Sequence, residues 1–438
     1  MNAETVLAQA EELGVRYVRL WFSDVLGFLK SFAVPLEELE KGFREGIGFD
    51  GSAIEGFARI QEADMLARPD PATFRQVPGP GGEPVGRLLC DITYPDGTPF
   101  EGDPRHVLKR NLDRATESGY SLVAWPEVEF FLSRSAERFE PIDQGSYFDI
   151  PSPDPAEELR RRAGAELEAM GVVVEMVHHE DAPGQQEFDL APANALEIAD
   201  GVMTLRLVLK EVARNFGLYA TFMPKPAPGI QGSGMHTHLR LMEGDRNAFF
   251  DPTDDAHLSK VARAFVAGLL EHAHAMTAVT NQWVNSYKRL VPGFEAPVHV
   301  CWARRNRSAL VRVPADRPDD ERKCRIEYRA PDPACNPYLA FSVILAAGLD
   351  GVRRDLEPPP EVTDDLQSMS DQERRAAGIS SLPDNLHDAV IEMERSDLVA
   401  QALGEHVFER FIRNKREEWA AYRAYVTPWE IDRSFPLL

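Results

Sequence analysis

Hydrophobic and polar positions fall into short alternating segments and longer helical ones, and their order sets the expected architecture. Residues 4–13 carry apolar side chains at helical spacing and end at Gly14, which predicts a short amphipathic helix. Over 15–22 the pattern alternates, with Val15, Tyr17, Arg19 and Trp21 on one face, and predicts a strand. The turn Asp24-Val25-Leu26-Gly27 leads to a second strand over 28–34, giving a hairpin. A helix is predicted over 35–45, a Gly-rich loop over 46–52, a Pro/Gly turn over 78–82 and a strand over 87–93. Together these form a small α+β unit, 1–102. Asp103 is a good helix cap with Pro104 at the first helical position, so a boundary falls there and a larger unit occupies 103–438. In it, strands are expected at 120–133, 172–178, 185–190, 218–224, 233–242, 298–303, 307–313 and 323–329. Helices are expected at 104–118, 155–170, 194–216, 257–280, 336–352, 384–402 and 404–424. The fold class is α+β, with no internal repeat.

The chemistry sits on the alternating segments. In a strand, residues i and i+2 share a face. Glu127 and Glu129 therefore point one way, as do His236 and His238, and as do Arg325, Glu327 and Arg329. Their neighbours Val128, Phe130 and Ile326 point into apolar packing. Glu180 and Glu187 lie on a loop and the start of a strand. Two carboxylates side by side in an apolar strand are costly unless a cation offsets them. A set rich in carboxylate and poor in imidazole suits Mg2+ or Mn2+ rather than zinc. Arginines interleaved with it suggest phosphate chemistry on metal ions. Arg304, Arg305, Arg307 and Arg312 add a local cluster suited to carboxylate or phosphate. Each segment alone has a plainer reading: a solvent-facing strand edge, a satisfied core histidine, or a solvated face of salt bridges.

Composition narrows the classes. With 48 Lys and Arg against 71 Asp and Glu, the net charge is −23, which argues against a nucleic-acid partner. The 438 residues suffice for two or three domains, and 43% hydrophobic content is that of an ordinary globular protein. The four cysteines make no C-x-x-C pair, so neither a zinc site nor a disulfide framework is suggested. The N-terminal residues lack the basic and apolar stretches of a signal peptide, and no apolar run reaches about 18 residues. A cytoplasmic protein off the membrane is expected.

Taken jointly, the motifs resemble the bacterial type I glutamine synthetase family. The resemblance rests on Asn285-Ser286-Tyr287-Lys288-Arg289-Leu290-Val291-Pro292-Gly293, Gly232-Ser233-Gly234-Met235-His236 and Pro331-Asp332-Pro333-Ala334-Cys335-Asn336-Pro337 and runs over nearly the whole chain. It implies a β-grasp-like domain over 1–102. It also implies a catalytic domain over 103–438 with a curved antiparallel sheet and helices. Stacked six-membered rings, a dodecamer with active sites between neighbouring subunits, are implied as well. The substrates it implies are glutamate, ATP and ammonia or a small amine, with two or more Mg2+ or Mn2+ ions. Glu129, Glu180 and Glu187 look like the ligands of one metal, and Glu127, His236 and Glu327 those of the other. Arg289 resembles the grip on the glutamate α-carboxylate, with Gly232 and Gln231 beside it. Glu295 resembles a flap residue that helps deprotonate the amine. Arg307 and Arg329 look like γ-phosphoryl contacts, and His238, Arg312 and Arg325 like nucleotide contacts. Asp50, from the neighbouring subunit, resembles the residue that binds and deprotonates ammonium, with Tyr147 beside it.

The chain departs from the family pattern in several places. Ala53 replaces the usual Ser, Gln231 the usual Asn, and Arg240 the usual Ser after His238. Leu190-Ala191-Pro192 replaces Phe-Arg-Tyr, and Gln282-Trp283 the commoner Pro-Thr. Ala53 and Trp283 lean toward relatives that ligate polyamines such as putrescine or spermidine. A third reading, a non-catalytic relative, predicts lost metal ligands, and all are present. Gln367 stands where adenylylated members carry Tyr, and Arg59 matches an Arg linked to glutamine feedback.

Overall fold

The computed structural model describes residues 1–54, 64–78, 82–150, 154–314, 320–363, 366 and 369–438; Arg59 and Gln367 lie outside them. Two sheets organise these residues. The first is six-stranded and is built from β1 Tyr17–Ser23, β2 Leu29–Pro35, β3 Ile47–Asp50, β4 Asp64–Pro69, β5 Arg75–Pro78 and β6 Pro84–Thr93. Its order is β2-β1-β6-β4-β3, with β5 paired to β6, and β1 runs parallel to β6. The expected hairpin is present, with Trp21 opposite Ser31. The expected loop over 46–52 is instead partly a strand. Gly46 turns the chain at φ +82°, after which Gly48 and Phe49 pair with Leu66 and Met65. Glycines at alternate positions hid that strand, and β4 and β5 are short and each ends in a proline.

The second sheet is eleven-stranded and largely antiparallel. Its strands are β7 Ser121–Ser133, β8 Val174–His179, β9 Gln185–Leu190, β10 Ala193–Asn194, β11 Tyr219–Thr221, β12 Met235–Glu243, β13 Arg246–Asn247, β14 His299–Ala303, β15 Ala309–Arg312, β16 Ile326–Tyr328 and β17 Ser380–Ser381. The main order is β17-β14-β15-β16-β12-β7-β9-β8, and β14 and β15 are its parallel pair. Helices cover one face. Ala195–Asn215, Lys260–Thr280 and Pro337–Arg353 bury a continuous apolar cluster with Val128, Phe130, Phe188, Leu239 and Ile326, all fully buried. The other face carries the polar set, because a strand sends alternate residues to opposite sides.

Sequence periodicity misplaces two helical features. The helix expected at 384–402 is two, Leu386–Glu394 and Asp397–Leu403, because the Ser396 side chain caps the second by accepting from Val399 N. A terminal helix, Pro428–Ser434, starts on a Thr427/Glu430 capping box that the periodicity does not reveal. Among the described residues, no helix is long and apolar enough to cross a membrane.

Arg105 ties the two sheets together. It leaves the helix Pro104–Glu117 buried and reaches Asp91 at 2.7 Å, Asp70 at 2.8 Å and Asp200 at 3.0 Å.

Candidate metal and phosphate site

Register brings the alternating carboxylates and imidazoles onto one face of the large sheet. Across β7 and β12, Glu127 stands opposite His236. Across β7 and β9, Glu129 stands opposite Glu187, and Glu127 opposite Asp189. Across β16, Glu327 stands opposite His238 on one side and Arg312 on the other. Glu180 follows β8, and a carboxylate oxygen of it lies within 4.8 Å of one of Glu129. Glu127, His236 and Glu327 form one group in which a ligand atom from each lies within 4.8 Å of the others; Glu129, Glu180 and Glu187 form another. A third, His178, Glu187 and Asp189, shares Glu187. Asp189 and His178 did not stand out in the sequence, although Asp189 follows Glu187 at the same-face spacing.

The glycines beside this face are required by close approach. A side chain at Gly234 would start 2.6 Å from the Arg289 guanidinium, and one at Gly232 would start 2.5 Å from the Pro224 carbonyl oxygen. With those positions empty, Gly234 N donates to Glu129 Oε2 at 3.0 Å and Gln185 Nε2 donates to the same oxygen at 2.8 Å. The Arg289 guanidinium, on the short helix Ser286–Arg289, is aimed by the carbonyls of Ala330 (2.7 Å) and Arg329 (3.1 Å).

Electrostatics divides the cluster in two. Burial alone would raise Glu127 and Glu327, but hydrogen bonds and electrostatic attraction from their neighbours prevail. His238 and His236 hold Glu127 well below its usual range, and Arg329 and His238 hold Glu327 at about 2. Arg312 Nη1 donates to Glu327 Oε2 at 2.6 Å, and Arg329 donates to the other oxygen. Burial drives the second group the other way. Glu180 rises to about 9 by burial and the adjacent Glu129, Glu129 to about 7, and Glu187 well above its usual value by burial and Glu129. Burial lowers His236 to about 4, which keeps its imidazole neutral and able to ligate. Glu180 Oε2 and Asp189 Oδ1 are buried without a hydrogen-bond partner. Oxygen-rich donor groups, crowded carboxylates and orphaned buried oxygens together fit hard divalent cations.

At the far end of the face the chemistry changes. His238 Nε2 lies 2.7 Å from Glu127 Oε1, and its Nδ1 accepts from Arg325 Nε at 3.3 Å. The His238 ring stacks on Trp125 at 5.6 Å and 21°, and the Arg240 guanidinium lies 5.3 Å from the Trp125 ring. His238, Arg312, Arg325 and Arg329 thus adjoin the metal-type groups as a cationic, partly aromatic end suited to phosphate and a planar ring.

Other expected site residues lie at the rim or outside the cluster. Tyr147, Glu295 and Arg307 are exposed. Gln231 is half-buried and its Oε1 accepts from the Glu295 amide at 3.0 Å. Asp50 joins none of the metal-type groups found among the described residues; it ends β3, an edge strand of the small sheet. Trp283 Nε1 donates to the Ala334 carbonyl at 2.9 Å, and Lys415 Nζ lies 4.0 Å from its ring.

Comparison with known proteins agrees with this geometry. Residues 101–434 match the family described as "Glutamine synthetase, catalytic domain", and residues 14–95 match "Glutamine synthetase, beta-Grasp domain". A glutamine synthetase of Mycolicibacterium smegmatis is 54% identical, over 98% of each chain. One from Thermotoga maritima is 47% identical, over 99% of each. A solved structure described as "GmaS/ADP complex-Conformation 1" superposes with a TM-score of 0.88 at 34% identity, covering 98% of this chain and 99% of that one.

Proposed function

Because the chain belongs to the glutamine synthetase family, we infer that it joins ammonia to the γ-carboxylate of glutamate, hydrolysing ATP to ADP and phosphate through a γ-glutamyl phosphate. The observation that carries this reading is the pair of carboxylate-rich groups on one sheet face, with Arg312, Arg325 and Arg329 at one end and Arg289 at the other.

The γ-carboxylate of glutamate is a poor electrophile, and phosphorylation makes it reactive. Glu129, Glu180 and Glu187 would hold one divalent ion and Glu127, His236 and Glu327 another. Asp189 and His178 offer room for a further one that shares Glu187. Bound Mg2+ or Mn2+ would offset negative charge on the phosphates. Arg329 and Arg307 stabilise the transferring phosphoryl group, and Arg312, Arg325 and His238 orient the nucleotide. Support for the nucleotide end comes from the ADP complex of the structural relative. Arg289, with Gly232 and Gln231 around it, grips the α-carboxylate of glutamate. Ammonium is inert until it loses a proton, so carboxylates belong where it arrives. Glu295 provides one from the flap, and Asp50 of the partner subunit, beside Tyr147, provides the other. That arrangement accompanies a dodecamer of two stacked six-membered rings, divided as 1–102 and 103–438 within each subunit, in the cytoplasm.

Full-length relatives described as glutamine synthetases, at 54% and 47% identity, favour ammonia over a polyamine as the acceptor. The test is phosphate release from ATP with glutamate and Mg2+, run with ammonium, putrescine, spermidine or no amine, with products weighed by mass. Glutamine from ammonium as the fastest product supports the proposal. A γ-glutamyl polyamine with ammonium near background overturns it.

A further inference from the structure

We propose that Asp143 and His179 act as a positioning pair that couples Glu180 to the loop carrying Tyr147, so that cation binding at Glu180 also sets the amine side of the site. The proposal rests on Glu180 as a metal ligand and Tyr147 as an amine-site residue.

The pair forms a strut between two segments. The His179 ring is wholly buried. Its Nδ1 lies 2.6 Å from the Glu180 carbonyl oxygen and its Nε2 lies 2.9 Å from Asp143 Oδ1. Both partners are acceptors, so both ring nitrogens donate and the ring cannot turn without losing a bond. One end therefore grips the backbone of Glu180 itself. Asp143 gathers the other side: Oδ1 also accepts from Gly145 N at 3.1 Å and from Gly184 N at 2.9 Å. The same carboxylate thus holds the start of the Tyr147 loop and the turn that follows Glu180. The fit at Gly145 is tight, because a side chain there would begin 2.6 Å from His179 Nε2.

The loop so held is strained. Phe148 adopts φ 58°, a left-handed conformation that a bulky aromatic residue rarely takes. Such a residue persists only where its surroundings impose it. Here Phe148 N donates to the His179 carbonyl at 3.1 Å. The Phe148 and Tyr147 rings pack on the His178 ring at 4.5 Å and 5.5 Å. Ser146 Oγ donates to Asp181 Oδ1 at 3.2 Å. His178 Nε2 in turn lies 3.1 Å from Glu187 Oε1. Two members of one metal-type group, Glu180 at its backbone carbonyl and Glu187 at its carboxylate, are therefore each linked through a histidine to the same strained loop. Groups that orient metal ligands from behind in this way typically change affinity or activity about 10–100-fold when removed.

The test uses D143A, D143N and G145A in the full-length protein. Hydrogen exchange at the amides of 145–149 is followed with and without Mn2+, and KM is measured for ammonium and for ATP. In the unmodified protein Mn2+ should slow exchange at these amides. In D143A and G145A that protection should vanish, and KM for ammonium should rise by about 10-fold or more with KM for ATP within about 2-fold. D143N keeps the accepting oxygen and should recover most of both. Protection by Mn2+ that survives in both D143A and G145A overturns the coupling, as does a KM for ATP that rises in step with that for ammonium, the mark of general loosening. If the unmodified protein ligates no amine, the function proposed above fails, and the exchange comparison alone still decides whether the pair couples metal and loop. Should D143A not fold, G145A, which deletes no polar group, decides the matter.

Discussion

Gln231 Oε1 accepts the backbone amide of Glu295 at 3.0 Å. A residue that departs from the family pattern thus holds the loop bearing the proposed amine base. The same segment supplies Lys225, whose Nζ lies 3.5 Å from the Phe294 ring centroid. Burial and the nearby Arg289 lower Lys225 to about 8, so near neutrality it is largely cationic and attracted to that ring.

Q231A should therefore loosen the loop without touching the metal-type groups. A side-chain to backbone hydrogen bond is worth about 0.5–1.5 kcal/mol net, or roughly 2- to 10-fold in the population of the closed loop. Steady-state kinetics should show kcat/KM for the amine lower by that factor, with Mn2+ affinity unchanged. Q231N, one methylene shorter, should fall between. A kcat/KM equal to that of the unmodified protein would mean that the contact holds nothing of consequence.

Much of this site was legible before the structure. The i, i+2 pairs Glu127/Glu129 and His236/His238 and the set Arg325/Glu327/Arg329 need only strand geometry to share a face, and the register places them together. The partners that aim them were not legible. Gln185, Asp143 and Trp125 act across the sheet or between loops, and hydrophobic pattern says nothing of such pairings. Asp143 meets His179 across 36 residues with no motif at either end. β3 and the Ser396 break were missed for a different reason: glycine in a strand and a serine cap inside a helical run both interrupt the periodicity that defines an element.

Removing metal should make stability depend on pH in a specific direction. Burial puts Glu180 at about 9 and Glu129 at about 7, both above the unfolded value near ~4.3. Raised carboxyls favour the folded state while protonated, so their contribution is full below about pH 4 and is lost as pH rises through about 7 and then about 9. Glu327, at about 2, has the opposite sign, and its contribution is lost only in strong acid. In EDTA the melting temperature should therefore fall from about pH 5 to pH 9. Saturating Mg2+ or Mn2+ binds the ionised carboxylates and should flatten or reverse that slope. Identical slopes with and without metal would separate these carboxyls from any cation site.

Glu327 accepts from arginines through both of its carboxylate oxygens. It is fully buried between Arg312 and Arg329. Changing it to Gln removes the charge that both guanidiniums answer. Breaking a buried pair in this way costs about 3–5 kcal/mol. E327Q should lower the denaturation midpoint and remove one class of bound Mn2+ in electron paramagnetic resonance titrations, while sites using Glu129, Glu180 and Glu187 remain. Retention of every bound Mn2+ would exclude Glu327 as a ligand.

Arg105 should govern whether the two sheets unfold together. Its guanidinium meets Asp70 and Asp91 on the small-sheet side and Asp200 on the large-sheet side, and Asp200 also accepts from the Tyr338 hydroxyl at 2.7 Å. R105A leaves several carboxylates facing one another in a region of low exposure, and the loss of the shared cation should cost about 3–5 kcal/mol. R105K keeps the charge but loses the planar fork that serves more than one carboxylate at once, so it should recover only part. Because the tie crosses between sheets, the transition should also change shape. Urea unfolding followed by tryptophan fluorescence and by circular dichroism should coincide for the unmodified protein and separate in R105A, as the small sheet loses its anchor before the large one melts. Coincident transitions in R105A, with a midpoint unchanged, would show that the apolar contact between the sheets is sufficient without Arg105.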